Sequence, residues 1–311
     1  MKTISIVISA YNEESNIPKL IEEIWLHLPT TFNYELIFVN DGSSDKTEET
    51  IDSFCQKDSR IKLLNFTTNY GHEIAMSAGM DFSNGDAVIF MDADLQHPPS
   101  LLPELILKWE NGSKIVLTKR TENEEKSFFY NILSSSYYKI LNYLSDYDME
   151  TNTPDFRLID RYYIEILKKY KENSRLFRGL LYIINAKKDT ATVEFVAPTR
   201  YSGESKYSFV KLSNLAIDSI LAFSIKPLRI ALLFSVTIFM LSIFLGLYFL
   251  LEWFFYGNEA PGFMTLILTT TILGSANLFV LSVIGEYIGR IHIESKNRPL
   301  YTIKNIVNFH E

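Results

Sequence analysis

The stretch Val88-Ile-Phe-Met-Asp-Ala-Asp-Leu-Gln-His-Pro-Pro99 decides the fold expected for this chain. Its apolar run, residues 88–91, ends at two carboxylates, Asp92 and Asp94, and two prolines then stop any regular extension. A short apolar run closed by turn signals is typical of a buried strand. Ligands of open α/β sheets bind at the carboxyl ends of the strands. Two aspartates there offer hard oxygen ligands to a divalent metal that carries a diphosphate, although acidic residues also occur in ordinary turns.

The sequence on both sides of this stretch alternates between short apolar runs and segments with helical spacing. Strands are expected at residues 3–9, 34–39, 61–66, 87–91 and 114–118. Helices are expected at residues 14–28, 46–57, 72–82 and 101–110. This alternation predicts an α/β domain with a mainly parallel sheet and helices on both of its faces.

Composition excludes several classes of protein. The 311 residues carry a net charge of −7, which argues against a general nucleic-acid binder. Cys55 is the single cysteine, so no intrachain disulfide can form, and this fits a reducing compartment. The N-terminal apolar stretch is too short for a signal peptide and is interpreted as the first strand.

Two long segments near the C-terminus contain no charged residue. They are residues 230–251 and 260–285, of 22 and 26 residues. At about 1.5 Å per residue, each is long enough to cross a hydrocarbon core of about 30 Å as a helix. Two buried core helices are the alternative, but such helices rarely run this long without a charge.

Charges around these segments predict their orientation. The connecting loop carries Glu252 and Glu259 and no Lys or Arg, whereas positive residues flank the pair on its outer sides. The positive-inside rule then places both termini in the cytoplasm, with the chain as a multi-pass protein of the inner (plasma) membrane.

The expected organisation has four parts. Residues 1–200 form a cytoplasmic catalytic domain, 201–228 an interfacial amphipathic segment, 229–286 two transmembrane helices (about 229–251 and 261–285), and 287–311 a cytoplasmic tail. The aromatic-rich segment 126–144 is either a core helix or a helix at the membrane interface.

Three polar clusters follow predicted strands and are expected to meet at one edge of the sheet. They are Ser9-Ala-Tyr-Asn-Glu-Glu14, Asn40-Asp-Gly-Ser-Ser-Asp45 and Asp92-Ala-Asp94. This edge is large enough for a nucleotide, with Asp41 suited to a base or ribose hydroxyl and the last pair suited to a metal bridging two phosphates. No Gly-x-Gly-x-x-Gly follows the first strand and no Gly-Lys-Ser/Thr loop is present, which weakens dinucleotide and P-loop interpretations.

The clusters resemble the successive motifs of family-two inverting glycosyltransferases. Further motifs resemble the polyprenyl-phosphate branch, which includes bactoprenol glucosyltransferases and dolichyl-phosphate mannose synthases. These motifs are Asp155-Phe-Arg-Leu158, Arg175-Leu-Phe-Arg-Gly179, Arg200-Tyr-Ser-Gly-Glu-Ser-Lys-Tyr207 and Ile284-Gly-Glu-Tyr-Ile-Gly-Arg290.

The resemblance implies a glycosyltransferase A (Rossmann-like) domain followed by two transmembrane helices. It implies transfer of a monosaccharide, glucose from UDP-glucose as first choice, from a nucleotide diphosphate sugar to a polyprenyl phosphate such as undecaprenyl phosphate. It also implies a divalent metal, Mg²⁺ or Mn²⁺, and leaves open a homo-oligomer, a flippase partner and a downstream glycosyltransferase partner.

The resemblance also implies roles for individual residues. The residues implied to contact the nucleotide sugar are Ala10, Tyr11, Glu13, Asp41, Asp92 and Gln96. The residues implied to bind the metal are Asp92 and Asp94. The residues implied to bind the lipid phosphate and the diphosphate are Arg120, Arg200 and Lys206. The residues implied to form the catalytic centre are Asp155, Asp94 and Arg157.

The sequence does not decide the role of Asp155, and it gives little support to metal binding by the histidines. The acceptor phosphate is already an anion, so Asp155 is either a general base or a residue that orients Arg157 or the sugar. His72 and His97 each stand alone among carboxylates and amides, which disfavours metal ligation by histidine.

Three rival functions share parts of this pattern. A transferase with a mannose or amino-arabinose donor would share nearly all of it. A processive polysaccharide synthase would usually carry a Gln-x-x-Arg-Trp motif and more spans, neither of which is present. A catalytically silent membrane scaffold would keep the fold, but the intact Asp41, Asp92 and Asp94 argue against it.

Overall fold

The computed structural model describes residues 1–121, 153–170, 172, 184, 187–196, 198, 224–256 and 262–309. The predicted aromatic segment 126–144 and the predicted interfacial segment up to residue 223 lie outside these residues. Contacts divide the chain into two units. Among the described residues, the first unit contains those up to residue 198 together with 299–309. The second unit contains residues 224–256 and 262–298.

The first unit alternates strands and helices, as the sequence predicts. Its strands are β1 (Thr3–Ala10), β2 (Asn33–Asn40), β3 (Ile61–Phe66), β4 (Ala87–Asp92), β5 (Ile115–Arg120), β6 (Arg157–Asp160), β7 (Thr190–Phe195) and β8 (Ile303–Val307). Its helices are α1 (Ile17–His27), α2 (Thr47–Cys55), α3 (His72–Phe82), α4 (Leu102–Glu110) and α5 (Arg161–Leu167). Short 3-10 turns at Pro99–Leu101 and Lys187–Asp189 lead into α4 and β7.

The strands form one mixed sheet in the order β7-β5-β6-β4-β1-β2-β3-β8. The four strands β4-β1-β2-β3 are parallel, which confirms the predicted α/β fold with its parallel centre. Antiparallel pairing comes from β6, between β4 and β5, and from β8, along β3. The sequence interpretation predicted neither of these short strands, and it also missed β7 and α5. It treated the residues of β8 as part of a tail.

Apolar side chains of the central strands are buried on both faces of the sheet, because helices cover both. In β1, Ile4, Ile6 and Ile8 face the layer that contains α1 and α4, whereas Val7 faces α3. Such two-sided burial is the reason why these strands have nearly continuous apolar sequences. At Gly79 in α3, a β-carbon would collide with Val7, so this glycine permits the close approach of α3 to the sheet.

The second unit contains two long helices, α6 (Lys226–Tyr256) and α7 (Phe263–Ser295). They pack against each other, with the Phe234 and Phe279 rings 5.6 Å apart and the Tyr287 hydroxyl donating to the Ser224 carbonyl at 2.8 Å. Most of their large apolar side chains are exposed, for example Phe244 at 68%. Core helices of a soluble protein would bury these residues, and both helices are long and apolar enough to cross a membrane.

A buried ion pair lies at the amino end of the sheet, opposite the polar clusters. Lys62 Nζ donates to Glu35 Oε2 at 2.6 Å, and the Ser5 hydroxyl and the Asn84 N–H donate to Glu35 Oε1 at 2.5 and 2.9 Å. Burial alone would raise the pKa of the Glu35 carboxyl, but these donors outweigh it and lower the pKa below its ordinary value. The carboxylate therefore stabilises the fold while it is ionised.

We expect Glu35→Gln to lower the stability of the first unit by about 3 kcal/mol at pH 7, because Lys62 would lose its buried counter-charge. The pair stabilises the protein above the ordinary Glu pKa of 4.5, and this contribution is lost as the pH falls through the lower folded-state pKa. The gap in melting temperature between wild type and variant should therefore narrow below pH 4.5. Glu165→Gln, at an exposed pair with Arg161, is the control and should change little at any pH. A gap independent of pH would contradict this assignment.

Candidate active site

The loops after β1 and β2 are joined by reciprocal hydrogen bonds. The Asn12 N–H donates to Ser43 Oγ at 2.9 Å, and the Ser44 N–H donates back to Asn12 Oδ1 at 2.8 Å. The Glu13 N–H donates to Thr47 Oγ1 at 2.8 Å. Asn12 has a φ of 56°, a conformation that asparagine tolerates better than most residues. These bonds make the first two predicted clusters one connected surface.

The loop after β2 also contacts the loop that precedes α3. Gly42 has a φ of +65°, and a β-carbon there would lie 2.6 Å from the Asn69 nitrogen, so only glycine fits. Asp41 accepts the Tyr70 N–H at 2.7 Å on one oxygen and the Gly71 N–H at 2.9 Å on the other. Burial raises the pKa of the Asp41 carboxyl, although these two donors oppose the shift. Asp41 thus holds the loop before α3, and its contact with a nucleotide stays a prediction.

The loop after β4 places the two aspartates of the third cluster. Asp92 is the last residue of β4, and its Oδ1 is buried without a hydrogen-bond partner in the described part of the chain. Leu95 has a φ of 62°, which is strained for a leucine, and the resulting turn lets the Gln96 N–H donate to Asp94 Oδ1 at 3.1 Å. Such strain is concentrated at functional sites in proteins.

His97 contacts the backbone of Asp92 and so helps to position this residue. Its Nδ1 accepts the Asp92 N–H at 2.9 Å, and its ring stacks on Phe156 at 5.1 Å. Burial lowers the pKa of His97, which favours the neutral ring that this bond requires. Sequence reasoning considered His97 only as a metal ligand and missed this positioning contact.

His72, the first residue of α3, lies among groups from three other strands or loops. Its Nδ1 is 2.8 Å from Ser9 Oγ, and its Nε2 is 3.5 Å from both Asp92 Oδ1 and Asp155 Oδ2. Burial would lower the pKa of His72, but the two carboxylates outweigh it and raise the pKa to about 10. His72 is therefore an imidazolium at neutral pH. Its position at the carboxyl edge of the sheet was the only sequence signal for this contact.

Asp155 and Arg157 form an almost completely buried ion pair. Arg157, in β6, is 1% exposed and donates from Nη2 to Asp155 Oδ1 at 2.7 Å and to the Pro154 carbonyl at 2.9 Å. Because β6 runs beside β4, with Arg157 opposite Phe90, the pair lies next to the third cluster. The described structure therefore brings together Asp92, Asp155, Arg157 and His72.

The other candidate residues surround this group or lie outside the described residues. Ala10 is buried at the end of β1, Tyr11 is exposed, and the Glu13 carboxylate accepts from the Asn16 amide. Arg120 ends β5, with its Nε buried and without a hydrogen-bond partner among the described residues. Arg200 and Lys206 lie outside the described residues.

The donor set limits how a metal could be bound. The described residues contain no group of three or more His, Cys, Asp or Glu side chains placed to hold an ion. Asp92 and Asp94 could supply only part of a coordination sphere, with the remainder from ligand oxygens and water. This arrangement is typical of Mg²⁺-type sites that share the ion with substrate phosphates.

The chain is similar to known proteins along most of its length. The model of the glycosyl transferase family 2 matches residues 5–167. The uncharacterized glycosyltransferase YkcC of Bacillus subtilis (strain 168) is 39% identical over 305 residues, covering 96% of this chain and 93% of the relative. The bactoprenol glucosyl transferase of Shigella phage SfV is 37% identical over 305 residues, covering 97% of this chain and 98% of the relative.

A solved structure shares the fold of this chain over part of its length. Glucosyl-3-phosphoglycerate synthase from Mycobacterium tuberculosis, in complex with Mn²⁺, UDP-glucose and phosphoglyceric acid, aligns with a TM-score of 0.50. It is 19% identical and covers 71% of this chain and 79% of that chain. At this identity the match supports the fold and no more.

Proposed function

The chain belongs to glycosyl transferase family 2, and on that basis we propose that it transfers glucose from UDP-glucose to a polyprenyl phosphate such as undecaprenyl phosphate. The observation that supports this choice most strongly is similarity to a bactoprenol glucosyl transferase over 97% of the chain, including both apolar helices. The product would be a lipid-linked monosaccharide of inverted anomeric configuration, as in the inverting transferases that the motifs resemble.

The donor would bind across the joined loops after β1 and β2. Tyr11 and Glu13 flank Asn12, whose two bonds to Ser43 and Ser44 hold this surface in place. Asp92 and Asp94 would hold a divalent cation, Mg²⁺ or Mn²⁺, which when bound compensates the charge of the departing diphosphate. Asp92 Oδ1 fits this role, because it is buried and accepts no hydrogen bond among the described residues, and its ion-pair partner, His72 Nε2, is 3.5 Å away.

The acceptor phosphate needs alignment with the anomeric carbon more than it needs a base. Asp155 is already paired with Arg157 at 2.7 Å and lies 3.5 Å from His72, so we assign it an orienting role. The cations Arg157 and His72 then stand beside the carboxylates, where they offset negative charge that accumulates during transfer. Arg120, with Arg200 and Lys206, is proposed to contact the phosphates of the substrates, because arginine binds phosphate oxygens in a bidentate manner.

The two long helices would anchor the protein in the membrane that contains the lipid acceptor. Strand β8 follows α7 and pairs with β3, so the first unit contains parts of the chain from before and after the helix pair. Together with the positive residues outside the pair, this supports a cytoplasmic catalytic unit with two spans in the plasma membrane. A homo-oligomer, a flippase partner and a downstream glycosyltransferase are compatible with this placement.

Purified protein in detergent should transfer labelled glucose from UDP-glucose to undecaprenyl phosphate with Mg²⁺ or Mn²⁺. A chelator should abolish labelling, and Asp94→Ala should lower kcat/KM by at least about 100-fold, because the diphosphate charge would be uncompensated. Glu165→Gln, distant from these aspartates in sequence and exposed, is the control. No transfer with UDP-glucose but transfer with a mannose or amino-arabinose donor would correct the sugar. Failure with every UDP and GDP sugar, with folded protein, would favour a scaffold.

The role of Asp155 can be tested with Asp155→Asn, which keeps an oxygen acceptor for Arg157 but cannot take a proton. If Asp155 orients its neighbours, we expect kcat to fall about 10-fold, without loss of an ionisation from the pH–rate profile. A general base typically contributes between about 10² and 10⁴ in rate. A fall at the upper end of that range, with loss of a pH-dependent limb, would establish the base role instead.

Membrane orientation can be tested with single cysteines in a Cys55→Ser background. A membrane-impermeant maleimide added to intact bacterial cells should label Glu259→Cys and leave Arg298→Cys unlabelled until the cells are permeabilised. The reason is that residue 298 directly precedes the part of the chain that rejoins the first unit. The reverse pattern would place the catalytic unit outside the cell and would contradict the proposed donor, which is made in the cytoplasm.

A further inference from the structure

Three asparagines form a row across neighbouring strands of the sheet. Asn40 on β2 is the cross-strand partner of Asn65 on β3, which in turn is the partner of Asn305 on β8. Asn40 Nδ2 donates to Asn65 Oδ1 at 2.9 Å, and Asn65 Nδ2 donates to Asn305 Oδ1 at 2.9 Å. Asn40 and Asn65 are buried, so their amides depend on each other for hydrogen bonds.

A backbone group fixes the direction of this row. Asn40 Oδ1 accepts the Ser43 N–H at 3.2 Å, and a backbone N–H can only donate. The Asn40 amide nitrogen must therefore face Asn65, whose oxygen must face Asn40. The Asn65 amide nitrogen is then left pointing to β8, where it requires an acceptor. Asn305 supplies that acceptor.

The row ends at the proposed donor surface. Ser43 Oγ accepts the N–H of Asn12, the residue between Tyr11 and Glu13. Residues just before β8 also contact the other loop of this edge, because the Thr67 N–H donates to the Thr302 carbonyl at 3.0 Å. Tyr301 stacks on Phe66 with ring centroids 5.1 Å apart. Residues 301–305 thus support both loops that Asp41 joins. They support the loop after β2 through Asn65 and Asn40, and they contact the loop before α3 directly.

We propose that Asn305 of β8 is a positioning residue of the donor site, which holds the loop 40–45 through Asn65 and Asn40. The effect of Asn305 on donor binding depends on the proposed function, whereas its hold on the loop does not. Because β8 follows α7, the site would be complete only after the chain has passed through both long helices and returned to the sheet. Donor binding would then be coupled to correct insertion of the helix pair.

The simpler alternative is that β8 only covers the edge of the sheet. Other contacts anchor the strand without touching the row: Lys304 Nζ binds Glu48 Oε2 at 2.9 Å, and Asn308 Nδ2 donates to the Cys55 and Ile61 carbonyls at 2.7 and 2.8 Å. Lys304→Ala therefore weakens the same strand next to Asn305 and leaves the row intact. It is the matched control.

The experiment compares Asn305→Ala, Asn305→Asp and Lys304→Ala in the full-length protein. UDP with Mn²⁺ is the probe, and its dissociation constant is measured by calorimetry in detergent. About 0.3 M salt is included to screen the repulsion between the new carboxylate of Asn305→Asp and the nearby Glu48 and Asp52. We expect Asn305→Ala to weaken UDP binding and raise the donor KM about five-fold, with kcat and the lipid KM within two-fold, as for loss of one hydrogen bond. Asn305→Asp, which keeps the acceptor oxygen, should restore both values, and Lys304→Ala should match wild type.

Hydrogen exchange of the amides in residues 40–45 is the second measurement and does not depend on the ligand. We expect faster exchange of the Ser43 amide in Asn305→Ala and wild-type rates in the other two variants. Unchanged exchange in Asn305→Ala, equal effects in Lys304→Ala, or no rescue by Asn305→Asp would overturn the proposal. Wild-type protein that fails to bind UDP would instead overturn the proposed donor, with the exchange data still deciding the role of Asn305.

Discussion

The charge balance around Asp92 and Asp155 is the constraint on which the site depends. Two carboxylates in a largely buried environment repel each other and lose hydration, so they need cations close by. Arg157 and His72 supply them, at 2.7 and 3.5 Å from Asp155. Four side chains meet here: Asp92, Asp155, Arg157 and His72. They are brought together by the loop after β4, the antiparallel strand β6 with the segment before it, and the start of α3. A divalent cation with its diphosphate, as proposed for this site, would change the net charge of the group little.

The loops at the carboxyl edge hold one another, which limits how far any of them can move. Asp41 ties the loop before α3, Gly42 lets the backbones approach, and Asn12 joins the first two loops. None of these contacts uses a substrate. The edge is therefore organised before a ligand arrives, and less binding free energy is needed to order it. Leu95 shows the cost of this organisation in its strained backbone.

The chain combines a sheet that buries its apolar residues with a helix pair that exposes them. The first unit has the properties of a soluble domain, with Ile6, Ile8 and Phe38 fully buried. In the second unit, side chains such as Leu233 and Phe244 are 68% exposed. A water-soluble donor and a lipid acceptor require these two environments in one protein. The return of the chain to the sheet as β8 means that the soluble unit is built from both ends of the sequence.

Local sequence was sufficient for features that depend on neighbours along the chain. The parallel strands β1 to β4, the helices between them, the two apolar helices and the three polar clusters could all be predicted, because apolar periodicity and turn residues report local burial. The family motifs likewise occupy short contiguous stretches. The structure places Asp92, Asp155 and Arg157 close together, and their roles in a site stay predictions.

Contacts between distant segments were decided only by the tertiary structure. The partners of His72 come from β1, β4 and the segment before β6, and no spacing in the sequence indicates that they meet. His97 is isolated in the sequence, and its contact with the Asp92 N–H is formed only in the folded protein. Strand β8 is short but rich in β-branched residues, and its place beside β3 depends on pairing with a segment about 240 residues earlier. Pairing free energy of this kind exists only once the sheet has formed.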